Sequence, residues 1–135
     1  MTQVLALSDI GFIGLGVMGK NLVLNLADNG FNIAVFDLCD EKVQGVIKQD
    51  KTENTTGTPR IYGCSSYTEL LSQLKAPHLI VLSVPAGDPV DQVCENLIGA
   101  GIQPDDIVID TGNSLWVDTV VREKKYKSNF ILFSS

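Results

Sequence analysis

A glycine-rich turn near the amino terminus constrains the fold of this chain more than any other feature of its sequence. Gly14, Gly16 and Gly19 form a GxGxxG pattern, preceded by an apolar run from Ile10 to Leu15 and followed by an amphipathic stretch from Val17 to Asn29. A strand, a GxGxxG turn and a helix in that order are typical of a domain that binds a dinucleotide. In such a turn the first glycine permits the tight bend, the second leaves room for a pyrophosphate, and the third lets the helix pack on the sheet.

The rest of the chain continues the alternation of strand and helix. Further strands are predicted at Asn32 to Phe36, Ile61 to Gly63, Leu79 to Val84, Ile107 to Ile109 and Phe130 to Phe133. Further helices are predicted from Asp40, as N-cap, to about Gln49, from Tyr67 to Leu74, from Pro89 to Leu97 and from Leu115 to about Lys125. Ser65 or Ser66 would cap the second of these helices, and Glu69 is placed to complete a capping box with Ser66. The polar stretch from Lys51 to Arg60 is predicted to be a loop. We therefore expect one α/β domain of Rossmann type over residues 1–135, with a doubly wound parallel sheet of six strands in the order 3-2-1-4-5-6.

Composition limits the classes of partner. The 135 residues include 16 acidic and 10 basic side chains, a net charge of −6, which argues against nucleic acid or an anionic membrane as a partner. Three cysteines without a CxxC pair and a single histidine do not make a zinc site, so we expect no metal and reduced thiols, as in a cytoplasmic protein. The longest nearly apolar run, Ile10 to Gly19, is too short to span a membrane, and the amino terminus lacks the positive region of a signal peptide.

An acidic residue ends the second predicted strand. Asp37 follows Gly19 at close to the spacing of about 20 residues at which dinucleotide-binding domains carry a carboxylate for the adenosine ribose. Such a carboxylate repels a 2′-phosphate, and Leu38 stands where an NADP-binding protein would carry arginine, with no basic residue before Lys42. The residues therefore favour NAD over NADP. Asp37 could instead serve only to cap the turn.

Two segments of the chain resemble the 6-phosphogluconate dehydrogenases. The run from Gly11 to Asn21, GFIGLGVMGKN, looks like the opening of that family and is shared with the wider β-hydroxyacid dehydrogenase superfamily. The run from Ile107 to Ser114, IVIDTGNS, is similar to the family's Ile-Asp-Gly-Gly-Asn-Ser segment and is the more specific of the two. The stretches Leu115 to Thr119 and Phe130 to Phe133 also match in kind and spacing, so the resemblance covers almost the whole chain.

The resemblance implies roles for residues in the turns that follow the strands. The glycine turn would hold the cofactor phosphates, Met18 would face the nicotinamide, the turn from Val84 to Gly87 would line the cofactor site, and Asn113 would contact both nicotinamide and substrate. The candidate cofactor-binding residues are Gly14, Leu15, Gly16, Val17, Met18, Gly19, Asp37, Leu38, Val84, Pro85, Ala86 and Asn113. Asn113 is also the candidate substrate-binding residue. Considered without the resemblance, Asn113 could be a turn residue that caps the next helix.

The chain departs from the family pattern at three places. Asp37-Leu38-Cys39 stands where the family usually has Asn-Arg-Thr, Pro85 stands where it has lysine, and Thr111 replaces a glycine. The first difference puts the family's usual preference for NADP in question, whereas the family's glycine turn and Gly-Asn-Ser segment are both present.

The resemblance also implies a reaction, namely oxidation of 6-phosphogluconate at C3, decarboxylation and release of ribulose 5-phosphate in the pentose phosphate pathway. The family's Ser-Gly-Gly substrate loop would follow Phe133, and its catalytic lysine and acid glutamate lie further along, in or beside a helical domain. We therefore expect the coenzyme-binding domain of a cytoplasmic NAD(P)-dependent oxidoreductase, with no catalytic residue of its own, whose parent forms a homodimer through the missing helical domain. A 3-hydroxyisobutyrate-type dehydrogenase domain and a non-catalytic nucleotide-binding module are the alternatives.

Overall fold

The computed structural model describes residues 6–134, which form a parallel six-stranded sheet connected by helices. The strands are β1 (Ile10–Ile13), β2 (Ile33–Phe36), β3 (Ile61–Gly63), β4 (Leu79–Leu82), β5 (Ile107–Asp110) and β6 (Ile131–Ser134). The helices are α1 (Val17–Asp28), α2 (Asp40–Glu53), α3 (Tyr67–Gln73), α4 (Asp88–Ala100) and α5 (Trp116–Tyr126). The order β3-β2-β1-β4-β5-β6, with every neighbouring pair parallel, confirms the predicted topology.

Helices cover the two faces of the sheet unevenly. α1 and α2 bury one apolar cluster, which includes Phe12 and Val35, against the β1–β2–β3 half of the first face. α3, α4 and α5 bury a second cluster, which includes Leu97, against the opposite face. In the edge strand β6, Leu132 is buried against the second cluster. Neighbouring residues of a strand point to opposite faces, so Ile131 and Phe133 point to the first face, where they are exposed.

α2 is longer than the sequence predicted. The polar composition after Gln49 indicated a loop over Lys51 to Arg60, but the helix continues to Glu53. The Nε2 of Gln49 donates to the Oε1 of Glu53 at 2.9 Å, an i,i+4 contact that supports an exposed last turn.

The amino termini of α2 and α3 differ in how they are capped. The N-cap of α2 is Cys39, without a side-chain hydrogen bond, and Asp40, predicted as the cap, is instead the first helical residue. Its carboxylate still lies at the positive end of the helix dipole. The Oγ of Ser66 accepts from the N–H of Glu69 at 3.0 Å, as predicted. The other half of the capping box is displaced by one residue, because the Oε1 of Glu69 accepts from the N–H of Ser65 at 2.8 Å.

Strands β1 and β4 are shorter than predicted, and α4 is longer. Leu15 and Val84 belong to the turns after the strands, which is where ligands of doubly wound sheets bind. α4 begins one residue before Pro89 and continues past Leu97 to Ala100.

A buried carboxylate, that of Asp106, joins two neighbouring strands at the amino-terminal edge of the sheet. The Oδ1 of Asp106 accepts from the N–H of His78 at 2.7 Å, and its Oδ2 accepts from the N–H of Gln103 at 2.8 Å. Burial opposes the ionisation of Asp106, but the hydrogen bonds from Gln103 and His78 outweigh it and lower its pKa below the usual value. Asp106 thus ties the start of β5 to the start of β4, opposite the edge at which ligands of this fold bind.

Candidate dinucleotide-binding site

The turns after β1, β2, β4 and β5 surround a cavity of about 610 Å³ at the carboxyl edge of the sheet. Its volume is in the range of small-molecule and cofactor sites. The predicted residues that line it are Gly14, Leu15, Gly16, Val17, Met18, Gly19, Asp37, Leu38, Val84, Pro85 and Asn113. Ala86, which was also predicted, is exposed and does not line the cavity. The structure therefore brings together residues from four separate turns that the sequence singled out.

The three glycines of the first turn have different surroundings. Gly14 has φ of +100°, a conformation that side chains rarely adopt, and Gly19 lies against the carbonyl oxygen of Gly14. Gly16 is the N-cap of α1 with φ of −65°, and a Cβ placed on it would meet nothing within 4 Å among the described residues. No side chain in residues 6–134 caps α1, so N–H groups of its first turn can bind an anion.

Asp37 ties the end of β2 to the glycine turn. Its Oδ2 accepts from the N–H of Leu15 at 2.8 Å, and its Oδ1 accepts from the N–H of Cys39 at 2.8 Å. In this structure the contacts of Asp37 are therefore those of a turn cap. A carboxylate has about four acceptor sites, so two are left for ribose hydroxyls. Contact between Asp37 and a ribose stays a prediction.

Sequence reasoning missed several of the residues that line the cavity. Four of these are polar side chains of helices, namely Lys42 of α2, Tyr67 of α3, and Gln92 and Asn96 of α4. Lys42 is the only cation that lines the cavity within residues 6–134. Burial raises the pKa of Tyr67, whose ring packs edge-on to that of Phe36 with 4.8 Å between centroids. The i,i+4 spacing of the two amides on α4 is the sequence signal that could have found them, since it places them on one helix face.

The turn after β5 presents Asn113 to the cavity. The N–H and the Oγ1 of Thr111 both donate to the carbonyl oxygen of Leu82, at 3.0 and 2.6 Å, which joins this turn to the end of β4. Asn113 is exposed, and its side chain makes no hydrogen bond within the described part of the chain. The alternative role of Asn113 as a helix cap is wrong, because the N-cap of α5 is Leu115 and no side chain caps that helix in the described residues.

A buried arginine connects α5 to the turn after β4. The Nη2 of Arg122 donates to the carbonyl oxygen of Gly87 at 3.0 Å, and its Nε donates to the Oδ1 of Asp91 at 3.0 Å. The hydrogen bond with Asp91 raises the pKa of Arg122, and the same bond lowers the pKa of Asp91. Arg122 therefore joins α5, the first turn of α4 and the turn that begins at Val84.

A doubly wound parallel sheet with a glycine turn at the start of α1 and a cavity at its carboxyl edge defines a Rossmann-type dinucleotide-binding domain. The family described as the NAD binding domain of 6-phosphogluconate dehydrogenase matches residues 9–134. The chain belongs to this family.

Known proteins are similar to the chain over most of its length. It is 40% identical over 129 residues to the decarboxylating 6-phosphogluconate dehydrogenase of Homo sapiens, an alignment that covers 96% of this chain and 26% of that protein. It is 37% identical over 126 residues to the same enzyme of Chlamydia pneumoniae, with 93% of this chain and 25% of that protein covered. The chain thus spans about a quarter of the length of these relatives.

Solved structures agree with the family and with the fold. The 6-phosphogluconate dehydrogenase of Plasmodium falciparum has a TM-score of 0.83 and 35% identity, covering 92% of this chain and 26% of that one. A 3-hydroxyisobutyrate dehydrogenase of Mycobacterium tuberculosis has a TM-score of 0.75 and 19% identity, covering 95% and 40%. The second likeness shows the fold alone, and the alternative of a 3-hydroxyisobutyrate-type domain gives way to the family that the sequence matches.

Within residues 6–134, no helix is both long and apolar enough to cross a membrane. The same residues hold no group of three or more His, Cys, Asp or Glu side chains that could bind a metal ion.

Proposed function

We propose that this chain binds the pyridine dinucleotide of a 6-phosphogluconate dehydrogenase, the enzyme that oxidises and decarboxylates 6-phosphogluconate in the pentose phosphate pathway. The observation that carries the proposal is the open glycine turn at the start of α1, where Gly16 leaves space beside uncapped N–H groups at the wall of the cavity. The similar Plasmodium falciparum enzyme is described in complex with its cofactor NADP+ and with its substrate 6-phosphogluconate. That description supports the class of ligand proposed for this cavity.

The lining residues suggest how the two ends of a dinucleotide would be distributed. A pyrophosphate at the glycine turn would lie at the positive end of the α1 dipole. Asp37 and Leu38, which follow β2, would then face the adenosine ribose. Met18 and Asn113 would face the nicotinamide, since the glycine turn and the β5 turn border the other half of the cavity. The bound nicotinamide would accept the hydride that leaves the substrate.

We further propose that NAD is preferred to NADP. The carboxylate of Asp37 would repel a 2′-phosphate, and Leu38, which is 85% exposed, offers it no charge. Lys42 is the one cation among the described lining residues, and a lysine binds phosphate as a point charge without the bidentate geometry of arginine. The preference for NAD therefore requires that Asp37 repel the 2′-phosphate of NADP more strongly than Lys42 attracts it.

The same residues suggest that this chain alone does not turn over 6-phosphogluconate. The ionisable side chains that line the cavity in residues 6–134 are Asp37, Lys42 and Tyr67, which follow β2 and β3. Asn113 follows β5, and three strand spacings of about 4.8 Å separate β2 from β5, about 14 Å in all. That distance is too long for Asp37 or Lys42 to take a proton from a substrate held at Asn113. Tyr67 lies nearer to α4, but burial raises its pKa and so opposes the ionised form that a base requires. We propose that the catalytic groups, and the contacts of a homodimer, belong to a helical domain of the parent enzyme.

Calorimetric titration of the purified chain with NAD and with NADP tests the binding proposal. We expect both to bind and NAD to bind more tightly. Tighter binding of NADP would overturn the preference, and binding of neither would overturn the assignment of the cavity.

An absorbance assay tests the proposal on turnover. The chain is incubated with 6-phosphogluconate and either dinucleotide, and the reduced nicotinamide is followed over time. We expect no rate above that without protein, whereas sustained turnover would mean that a base within these residues has been overlooked. A turnover assay of the parent enzyme distinguishes a coenzyme-binding domain from a non-catalytic nucleotide-binding module.

A further inference from the structure

We infer that Asp110 is a positioning residue for Asn113, at the end of the cavity where the nicotinamide would lie; this inference rests on the proposed function. Asp110 is the last residue of β5, and 2% of it is exposed. Its carboxylate bonds to the residues on both sides of Asn113. The Oδ1 accepts from the N–H of Gly112 at 2.9 Å, and the Oδ2 accepts from the hydroxyl of Ser114 at 2.5 Å.

These contacts hold the backbone from which Asn113 projects. The side chain of Asn113 has no hydrogen bond of its own within residues 6–134, so the residues on either side, rather than contacts of its amide, set the position of its Cα and Cβ. Asp110 holds the turn at two groups, the N–H of Gly112 and the side-chain hydroxyl of Ser114, which belong to the two neighbours of Asn113. The turn also lies against the turn that follows β4, because a Cβ on Gly112 would lie 2.9 Å from the carbonyl oxygen of Val84. The turn after β5 therefore has little freedom to move toward the turn after β4.

A carboxylate suits this position better than an amide. Gly112 and Ser114 both donate to Asp110, one through an N–H and one through an O–H, and a carboxylate offers them two acceptor oxygens. Asparagine would offer one oxygen and would place an NH₂ group toward the second donor. Hydrogen bonds to an ionised acceptor are also shorter and stronger than neutral ones, which fits the 2.5 Å contact with Ser114. Asp110 is also among the carboxylates whose charge raises the pKa of Arg122, after the larger contribution of Asp91.

The two hydrogen bonds through which Asp110 would position Asn113 lie at one end of the proposed site. Gly112 and Ser114 belong to the turn after β5, whereas the adenosine ribose is proposed to lie at Asp37 and Leu38, after β2. A loss of positioning should therefore weaken a ligand that carries nicotinamide and leave a ligand without it unaffected. A loss of structure would weaken both ligands together. This difference separates positioning from a merely structural role.

The test compares NAD with ADP-ribose, which is NAD without its nicotinamide, by calorimetric titration. Ser114→Ala removes the hydroxyl bound by Oδ2 while the carboxylate stays, so the variant should fold even if Asp110→Asn does not. We expect Ser114→Ala to weaken NAD binding about 5-fold, the effect of one hydrogen bond, and to change ADP-ribose binding less than 2-fold. Ser72→Ala is the matched control, because Ser72 is exposed and its hydroxyl donates to the carbonyl oxygen of Glu69 within α3, so the substitution should change the binding of neither ligand.

A double variant shows whether the effect passes through Asn113. We expect Ser114→Ala to have no further effect on NAD binding in an Asn113→Ala background. Equal losses for NAD and ADP-ribose, or unchanged NAD binding in both Ser114→Ala and Asp110→Asn, would overturn the inference. If the unaltered chain binds ADP-ribose but Asn113→Ala leaves NAD affinity unchanged, the inference fails while the proposed site stands. If the unaltered chain binds neither ligand, the proposed function itself fails.

Discussion

Gly19 lies so close to the carbonyl oxygen of Gly14 that a side chain at position 19 would overlap it. The ring of Phe12 also lies 3.2 Å from the position that a Cβ of Gly19 would occupy. The first turn of α1 is thus in direct contact with the turn that follows β1. The fold itself requires glycine at positions 14 and 19, whereas a Cβ on Gly16 would meet nothing within 4 Å among residues 6–134, and we attribute that glycine to the proposed ligand.

The first prediction separates these roles. We expect Gly16→Ala to change the free energy of unfolding by less than about 0.5 kcal/mol, as for an unhindered surface substitution, and to weaken dinucleotide binding at least 10-fold by obstructing the pyrophosphate. Gly19→Ala should instead lower the free energy of unfolding by about 1–3 kcal/mol through overpacking. Urea denaturation and calorimetric titration measure the two effects. Undiminished NAD binding by Gly16→Ala would mean that the pyrophosphate does not approach this turn.

The second prediction concerns the choice of cofactor. Leu38→Arg should strengthen NADP binding about 10-fold and change NAD binding less than 2-fold, because an arginine at this exposed position can pair with a 2′-phosphate. Asp37 is better changed to asparagine than to alanine in a combined variant, because alanine would also release the N–H of Leu15. Asp37→Asn with Leu38→Arg should shift the ratio of the two dissociation constants further toward NADP.

Lys42→Gln is the complementary variant for cofactor choice. It should weaken NADP several-fold and leave NAD nearly unchanged, since the ammonium group would act on the 2′-phosphate alone. Equal effects on both nucleotides would place Lys42 against a group that they share, such as the pyrophosphate. In either case the comparison is made at fixed ionic strength, because salt screens such contacts.

Much of the fold was predictable because its signals are local. Strands apolar on both faces, separated by amphipathic helices, indicate a parallel sheet, and the handedness of the connections restricts its order. The end of α2 was missed because a polar run has the same composition in a loop and in an exposed helix turn; Gln49 and Glu53 decide between them only through their contact.

The candidate site was predictable only where its residues sit directly after strands. Asn113 and Val84 follow from that rule, and both line the cavity. Lys42, Gln92 and Asn96 lie inside or at the first turns of helices, and they reach the cavity because α2 and α4 happen to start beside it. The i,i+4 spacing places Gln92 and Asn96 on one helix face, but which helix faces border the cavity depends on distances between elements, and spacing along the chain does not determine those distances.

The third prediction is a pH dependence of stability caused by Asp91. Because Arg122 lowers the pKa of Asp91 in the folded chain, the stabilisation is present above about pH 4, where the unfolded carboxylate is ionised, and is lost as pH falls through the folded pKa. At pH 7, Arg122→Met should lower the free energy of unfolding by about 2 kcal/mol, and this difference should shrink in acid. Urea denaturation from pH 7 to pH 3 measures it.

Lys125→Met is the matched control on the same helix. The Nζ of Lys125 lies 3.3 Å from the Oε1 of Glu95, but both side chains are more than half exposed, so the substitution should cost less than about 0.5 kcal/mol. A difference for Arg122→Met that does not change with pH would show that its hydrogen bond to Gly87, rather than the charge of Asp91, dominates.

The fourth prediction is that the three thiols react unequally. Burial raises the pKa of Cys64 and of Cys94 to about 12, whereas Cys39 is exposed beside Leu38. Near pH 8, a disulfide reagent such as Ellman's reagent should modify one thiol rapidly in the folded chain and all three after unfolding. Saturating NAD should slow the modification of Cys39 by covering the adenosine end of the cavity. Rapid modification of two thiols in the folded chain would contradict the burial of Cys64 and Cys94.

The cavity takes its wall from segments that run from Gly14 to Asn113, and four strands must be paired before that wall exists. A dinucleotide would therefore bind only to chains that have finished folding, and its binding would stabilise the folded sheet reversibly. At a free concentration 100 times its dissociation constant it should add about 2.7 kcal/mol to the free energy of unfolding, visible as a rise in melting temperature. In a cell that contains proteases, the lifetime of this chain would then follow the supply of its own cofactor.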